Sequence, residues 1–183
     1  MARLPYIDPE HASEPVKDAF EQGVPPLNIF KLMAHAETAF RPWLRFGAAV
    51  LMEMELDPVL RELAILRVAA ITPGAEYEWV QHESIARAVG ATDEQIEGAR
   101  SGTGLEGDDA LVIRFTEQVV RDAAPDEATF REMTDRFSSR GIIELILAIG
   151  QYMMLARVMA TAQIDIEPPA GSGLIGGGSG ADD

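Results

Sequence analysis

The chain has 183 residues, of which 47% are hydrophobic and 25% charged, as is typical of one globular domain with a sizeable core. Its net charge of -15 argues against nucleic acid or an anionic membrane as the main partner, because both need a basic surface. The absence of cysteine excludes disulfides, thiolate metal sites and cysteine-based peroxidase chemistry.

The origin and location of the protein are indicated only indirectly. Two of the 15 basic residues are lysine, a bias towards arginine that is typical of GC-rich bacterial genomes. The first residues lack the apolar stretch of a secretory signal. We therefore expect a bacterial, cytoplasmic protein.

Helical patterns follow one another through the first half of the chain, separated by Pro and Gly. Asn28 is the predicted cap of the second helix, and Asp57, followed by Pro58, is that of the fourth. Pro42 is tolerated near the start of the third helix. The predicted ranges are 15–22, 29–36, 38–55, 57–71 and 75–89.

The second half continues the pattern, and Thr92 with Gln95 predicts a capping box. No stretch alternates long enough to indicate a strand, so we predict an all-α domain of about seven or eight helices. This domain spans residues 1–167, with its core at about 26–163, and the Gly- and Ser-rich residues 168–183 are predicted to form a flexible tail. The remaining predicted helices are 92–100, 108–123, 126–139 and 141–163.

The last predicted helix is apolar on almost every side. Glu144, Gln151 and Arg157 interrupt it, which favours a buried helix over a membrane span. A domain of this size cannot easily bury every face of such a helix, so we expect a homo-oligomer.

Glu78 and His82 are the most informative pair of polar residues. They lie four residues apart on a predicted helix, so their side chains can meet, and a carboxylate beside an imidazole suits general acid–base catalysis. Glu62, on the preceding helix, could serve the same imidazole. A surface ion pair of little energetic consequence is the alternative interpretation.

Arg67 is unusual because it is the only charge between Leu63 and Ile71. A buried guanidinium needs a carboxylate or a bound anion. The candidates are Glu78, Glu144 and a substrate carboxylate, and a purely structural ion pair is equally consistent with the sequence.

Aromatic residues accompany these polar groups. Tyr77 and Trp79 flank Glu78, and Tyr152 lies in the last apolar helix, so each could line a pocket or simply pack in the core. Glu78 and His82 also have the spacing of helical metal ligands, but the usual zinc and di-iron motifs are absent. We expect no metal and no organic cofactor.

Four segments of the chain together resemble the carboxymuconolactone decarboxylase family, which also contains the alkylhydroperoxidase D proteins. The resemblance runs from about residue 26 to 163, and its central part is the most specific. The segments are Leu27-Asn28-Ile29-Phe30, Arg61 to Arg67, Tyr77-Glu78-Trp79-x-x-His82, and Gly150 to Arg157.

The peroxidase branch of this family carries a Cys-x-x-Cys pair followed by a His, with a Glu on the preceding helix. Here Ala75 and Glu78 stand at the cysteine positions, while His82 and Glu62 remain. The Glu-x-x-x-His form is similar to the decarboxylase branch, which implies cofactor-free action on a carboxylated γ-lactone in aromatic catabolism. The resemblance also implies an all-α, alkylhydroperoxidase D-like fold assembled as a trimer or hexamer.

We therefore predict a carboxy-lyase-like enzyme acting on a small carboxylated lactone or oxo-acid. His82 would be the general acid–base, Glu78 or Glu62 would orient it, and Arg67 would hold the substrate carboxylate. The alternative is a non-catalytic helical oligomer, or a small-molecule-binding protein, in which these four residues form a structural network. A solvent-reachable cavity beside them would favour the enzyme.

Overall fold

The computed structural model describes residues 1–170, which form nine α-helices and one short 3-10 helix, Pro9–His11, without any strand. The prediction of an all-α fold is confirmed. The helices are α1 Glu14–Glu21, α2 Asn28–Met33, α3 Glu37–Met52, α4 Pro58–Ile71, α5 Glu76–Ala88, α6 Asp93–Ser101, α7 Gly107–Asp122, α8 Glu127–Arg136 and α9 Ser139–Ala162.

The centre of the fold is α4, which packs against α5, α6, α7 and α9. Nine consecutive residues, Arg61 to Ala69, are buried, so this helix has no solvent-facing side over two and a half turns. Ala64, Ile65 and Val68 belong to the larger hydrophobic cluster. Leu63 and Leu66 belong to a second cluster on the other side. This position explains why the three buried charged residues of α4, Arg61, Glu62 and Arg67, must find partners inside the protein.

Local capping signals agree with the structure at two helices. The Asp57 carboxylate accepts hydrogen bonds from the amides of Val59 at 2.8 Å and Leu60 at 3.3 Å. Thr92 and Gln95 form the predicted capping box at the start of α6. Both predictions are confirmed. Such caps can be predicted from sequence because their bonds join residues only two or three positions apart.

The predicted cap at Asn28 is wrong. Asn28 is the first residue of α2, and the residue before it makes no side-chain cap bond. The Asn28 amide group instead donates to the carbonyl of Asp165 at 3.0 Å. A contact across more than a hundred residues thus replaces the expected local one.

The C-terminal segment, residues 164–170, crosses α2 and α5. Glu167 accepts from the Tyr77 hydroxyl at 2.7 Å and from the backbone amide of Asn28. Gln81 bonds the carbonyl of Pro168 at 3.4 Å and accepts from the amide of Ala170 at 2.9 Å. Residues 168–170 of the predicted tail are therefore hydrogen-bonded to α5, and its remainder, 171–183, lies outside the described residues.

Helix α9 buries one face and exposes another that is also apolar. It is long and apolar enough to span a membrane, but 56% of that apolar window is buried inside the fold. The exposed stripe repeats at helical spacing, and its most exposed member is Ile143 at 56%. The stripe consists of Ile143, Ile146, Leu147 and Met154.

Candidate active site

Three helices bring the candidate residues together: Glu62 lies on α4, Glu78 and His82 on α5, and Tyr152 on α9. The short turn between α4 and α5 passes close to α9 at Gly74. A Cβ at Gly74 would lie 2.7 Å from the Cβ of Ala160, and the φ of Gly74 is +84°. Only glycine fits both the space and the backbone conformation, so this residue fixes how α5 enters the core.

An Arg–Glu–His chain forms the buried part of the site. The Arg61 Nε donates to Glu62 Oε1 at 3.0 Å, and Glu62 Oε2 lies 2.7 Å from His82 Nδ1. The side chains of Glu62 and His82 are 0% and 7% exposed. Because a carboxylate can only accept hydrogen bonds, Nδ1 carries the proton of this bond and Nε2 is left as an acceptor. The choice between Glu62 and Glu78 that the sequence left open thus falls to Glu62 as the partner of His82.

Glu78 is buried without a partner. Its residue is 2% exposed, and neither carboxyl oxygen has a hydrogen-bond partner within residues 1–170. Burial, reinforced by the charge of Glu62, raises the pKa of Glu78 well above its ordinary value. Burial therefore favours the uncharged carboxylic acid form of Glu78, which carries an O–H donor.

Tyr152 covers the imidazole from α9. Its ring meets that of His82 edge to face, with the centroids 4.6 Å apart. Burial, together with the charge of Glu62, raises the pKa of Tyr152 well above its usual value, so it stays a neutral phenol. The contact packs the Tyr152 ring against the imidazole of His82.

Glu78 and His82 are both among the residues that line a cavity of about 440 Å³ between α2, α3, α5 and α9. Polar groups gather on α5 and α9: Tyr77, Glu78, Gln81, His82, Gln151 and Tyr152. Most of the remaining wall is apolar, including Val24, Leu27, Ile29, Phe30, Trp43, Leu44, Leu51, Met52, Leu155 and Met159. A concave, mostly apolar space with a few convergent polar groups is the usual form of a small-molecule site.

Two residues predicted for the substrate site lie elsewhere. The Arg67 guanidinium donates to the carbonyls of Ala99 at 3.2 Å and Arg100 at 2.8 Å, and forms an ion pair with Glu117. Trp79 donates from Nε1 to Glu83 at 2.8 Å. Neither side chain lines the cavity, so Arg67 matches the structural ion pair that the sequence left open and cannot hold a ligand there.

The sequence analysis missed three polar residues of the site. Arg61 was overlooked because an Arg-Glu pair at the start of a helix is usually solvent-exposed, whereas here both residues are buried. Gln81 and Gln151 are buried amides on the cavity wall. Gln151 had a signal, since it interrupts an otherwise apolar helix.

The sequence is similar to a known family. The model of the carboxymuconolactone decarboxylase family matches residues 37–105. That segment runs from the start of α3 past the end of α6, and it includes Glu62, Glu78 and His82 but not Tyr152. The resemblance predicted from the sequence is confirmed.

The fold also matches a solved structure. It is the crystal structure of an uncharacterized peroxidase-related protein from Silicibacter sp. TM1040, which superimposes on this chain with a TM-score of 0.75. The alignment covers 92% of each chain, and the two sequences are 18% identical. No curated protein matches the sequence. The structural match confirms the alkylhydroperoxidase D-like helical fold, and at this identity it shows the fold alone.

Proposed function

We propose that this carboxymuconolactone decarboxylase-like protein is an acid–base enzyme that moves a proton at a carbon next to a carbonyl group. The observation that supports this proposal is that one cavity is lined by both a proton acceptor and a proton donor. His82 offers a proton acceptor, and Glu78, one helical turn away, offers an uncharged donor. Titratable groups driven to different protonation states by their surroundings are typical of acid–base pairs.

His82 is the proton-transferring residue in this proposal. Its Nδ1 is bonded to Glu62, so Nε2 takes the proton from a bound ligand or returns it. Glu62 is a positioning residue, because it fixes the ring and stabilises the imidazolium that forms. Arg61 in turn holds Glu62 at 3.0 Å.

Glu78 acts on the carbonyl oxygen. Its O–H donates to the oxygen on which negative charge develops as the proton leaves the neighbouring carbon. A hydrogen bond from an uncharged acid is electrostatically stronger in an apolar cavity than in water. Glu78 thus stabilises the enolate that His82 creates.

The same pair serves two reactions. In a decarboxylation, the electrons of the C–CO2 bond pass to the carbonyl, Glu78 stabilises the enolate, and His82, which has first taken a proton from solvent, delivers that proton to the carbon. In an isomerisation, His82 removes a proton from one carbon and returns it to another. Both reactions need the residues present here and no bound cofactor.

A ligand-binding protein without catalysis is the second candidate. The paired Arg61–Glu62–His82 chain favours it, because fully satisfied buried networks also occur as structural elements. Glu78 favours the enzyme, because a structural carboxyl would have a partner, and an unsatisfied buried group costs about 1–3 kcal/mol.

The test is deuterium exchange from solvent into carbonyl compounds, together with CO2 release from γ-carboxymuconolactone. We expect turnover of one of them by the wild type and a loss on the order of a hundredfold in His82→Gln. His35→Gln is the matched control, because His35 is exposed and bonded to the carbonyl of Pro5. Equal rates in wild type and His82→Gln would remove His82 from the reaction.

A further inference from the structure

We propose that the cavity binds an uncharged, predominantly apolar carbonyl compound rather than a carboxylate. This inference rests on the proposed function, which it narrows to proton transfer on a neutral ketone, aldehyde or lactone. It departs from the carboxylated substrate expected from the sequence, and three features of the cavity support it.

The first feature is the lack of a cation inside the cavity. Arg45 is the one arginine or lysine that lines it within residues 1–170, and the Arg45 side chain is exposed to solvent. The two buried arginines of α4 are already paired, Arg61 with Glu62 and Arg67 with Glu117. A carboxylate in the interior would lose its hydration without gaining a charged partner, which is very unfavourable.

The second feature is the negative charge of the whole chain. Its net charge is -15, whereas the charge of Glu62 behind His82 is balanced by Arg61. The net charge repels an anion that approaches the cavity. An uncharged ligand does not experience this repulsion.

The third feature is the kind of polar group that remains free. Gln81 is engaged by the C-terminal segment, through the carbonyls of Glu167 and Pro168 and the amide of Ala170. Within residues 1–170, Glu78 and the indole N–H of Trp43 then have no protein partner, and the Gln151 amide and the Tyr152 hydroxyl also face the cavity without a hydrogen bond to the protein, so uncharged donors are available for a carbonyl oxygen. The apolar side chains of α2 and α3, among them Phe30, Trp43 and Leu51, surround the rest of the ligand. The volume of about 440 Å³ lies in the range of sites for drug-sized molecules.

The test compares matched probes in direct binding measurements. Methyl ketones from 2-octanone to 2-undecanone are each paired with the alkanoate of equal length, near pH 7.5, where the alkanoate is ionised. Binding is followed by calorimetry and by the fluorescence of Trp43, which lines the cavity. We expect each ketone to bind at least about tenfold more tightly than its alkanoate.

A variant with a cation in the wall tests the electrostatic argument. Met52 lines the cavity and is 49% exposed, so Met52→Arg can place a guanidinium at the wall without disturbing the core. It should bind the alkanoates several-fold more tightly than the wild type does. Glu53→Gln changes the net charge by the same amount outside the cavity, and it should leave the preference for ketones unchanged.

The outcomes separate this inference from the proposed function. Alkanoates that bind as tightly as ketones, or ketones that do not bind at millimolar concentration, would overturn the inference. Turnover of a carboxylated substrate in that case would still support His82 as the acid–base. Conversely, tight ketone binding with no deuterium exchange would support the ligand class and refute the proposed chemistry.

Discussion

Replacing Glu78 by Gln should stabilise the protein, and the gain should increase with pH. The native state keeps Glu78 protonated because burial and the charge of Glu62 raise its pKa well above the ordinary value. The unfolded chain releases this proton above a pKa of about 4.3. A neutral amide of the same shape has no proton to lose in either state.

The sign follows from proton linkage. Above the pKa of the unfolded chain, the native state binds one proton more than the unfolded state, so wild-type stability falls as pH rises. The stability contributed by protonated Glu78 is complete below that pKa and is lost progressively above it. We compare the unfolding free energy of wild type with that of Glu78→Gln. While native Glu78 stays protonated, each rise of one pH unit lowers the wild-type value by on the order of 1–2 kcal/mol relative to the variant, which is about tenfold in the unfolding equilibrium constant.

The assay is urea unfolding of both proteins between about pH 5.5 and 8, with the difference in unfolding free energy plotted against pH. Glu144→Gln is the matched control. Burial alone would raise the pKa of Glu144. Hydrogen bonds from Arg140 at 2.8 Å and from the amide of Leu56 at 2.9 Å outweigh this effect and hold the pKa of Glu144 below its ordinary value. Glu144→Gln should therefore destabilise the protein, with a cost that vanishes only as pH falls through the native pKa of Glu144.

A difference between wild type and Glu78→Gln that does not change with pH would refute this reasoning. It would mean that Glu78 is ionised in the native state, with a partner or water that compensates its charge. Glu78 could then not donate a hydrogen bond to a ligand carbonyl, and its role in the proposed reaction would be lost as well.

Three further changes test the rest of the site and the surface. Glu62→Gln should lower kcat by about tenfold to a thousandfold with little change in KM, because the His82 ring loses the partner that fixes it. Gly74→Ala should lower the unfolding free energy measured in urea by about 2–4 kcal/mol, because the added methyl group would collide with α9 and because alanine disfavours the positive φ. Leu147→Lys should leave the fold intact and lower the oligomer mass measured by light scattering, because it charges the exposed stripe of α9.

Each of these predictions has a control or an opposing result. Gly104→Ala shares a positive φ of +82° but meets no atom within 4 Å, so it should cost clearly less than Gly74→Ala, and equal costs would exclude the contact as the cause. A Glu62→Gln variant that raises KM alone would place Glu62 in ligand binding. A monomeric wild type would refute the expected homo-oligomer and leave nothing for Leu147→Lys to change.

The features that the sequence predicted well are those decided locally. Asp57 and Thr92 cap helices by bonding amides two or three residues away, and such bonds follow from the chain itself. The burial of α4 agrees with its apolar run from Leu63 to Ile71, which only Arg67 interrupts. The resemblance between residues 37–105 and a known family added the fold that these local signals could not supply.

The features that the sequence left open depend on partners far along the chain. Arg67 pairs with a carboxylate 50 residues away, and His82 with one 20 residues away, so neither partner follows from helical spacing. Glu78 and His82 do share a face of α5 and both line the cavity, but only His82 meets a carboxylate, that of Glu62 on α4. Spacing alone predicted proximity, and it could not show that Glu78 would have no hydrogen-bond partner within residues 1–170.

Three buried carboxyls show what this lack of a partner means. Glu62 is held by Arg61 and His82, and Glu144 by Arg140 and a backbone amide, so folding compensates the burial of both. Glu78 receives no compensation within the described chain and is neutral only because its charged form is too costly. An isosteric amide or a small apolar residue would serve the fold better at this position. In the proposed function, the benefit of a carboxylic acid there comes from a ligand that accepts its hydrogen bond, and this is the physical argument for the cavity as a candidate site.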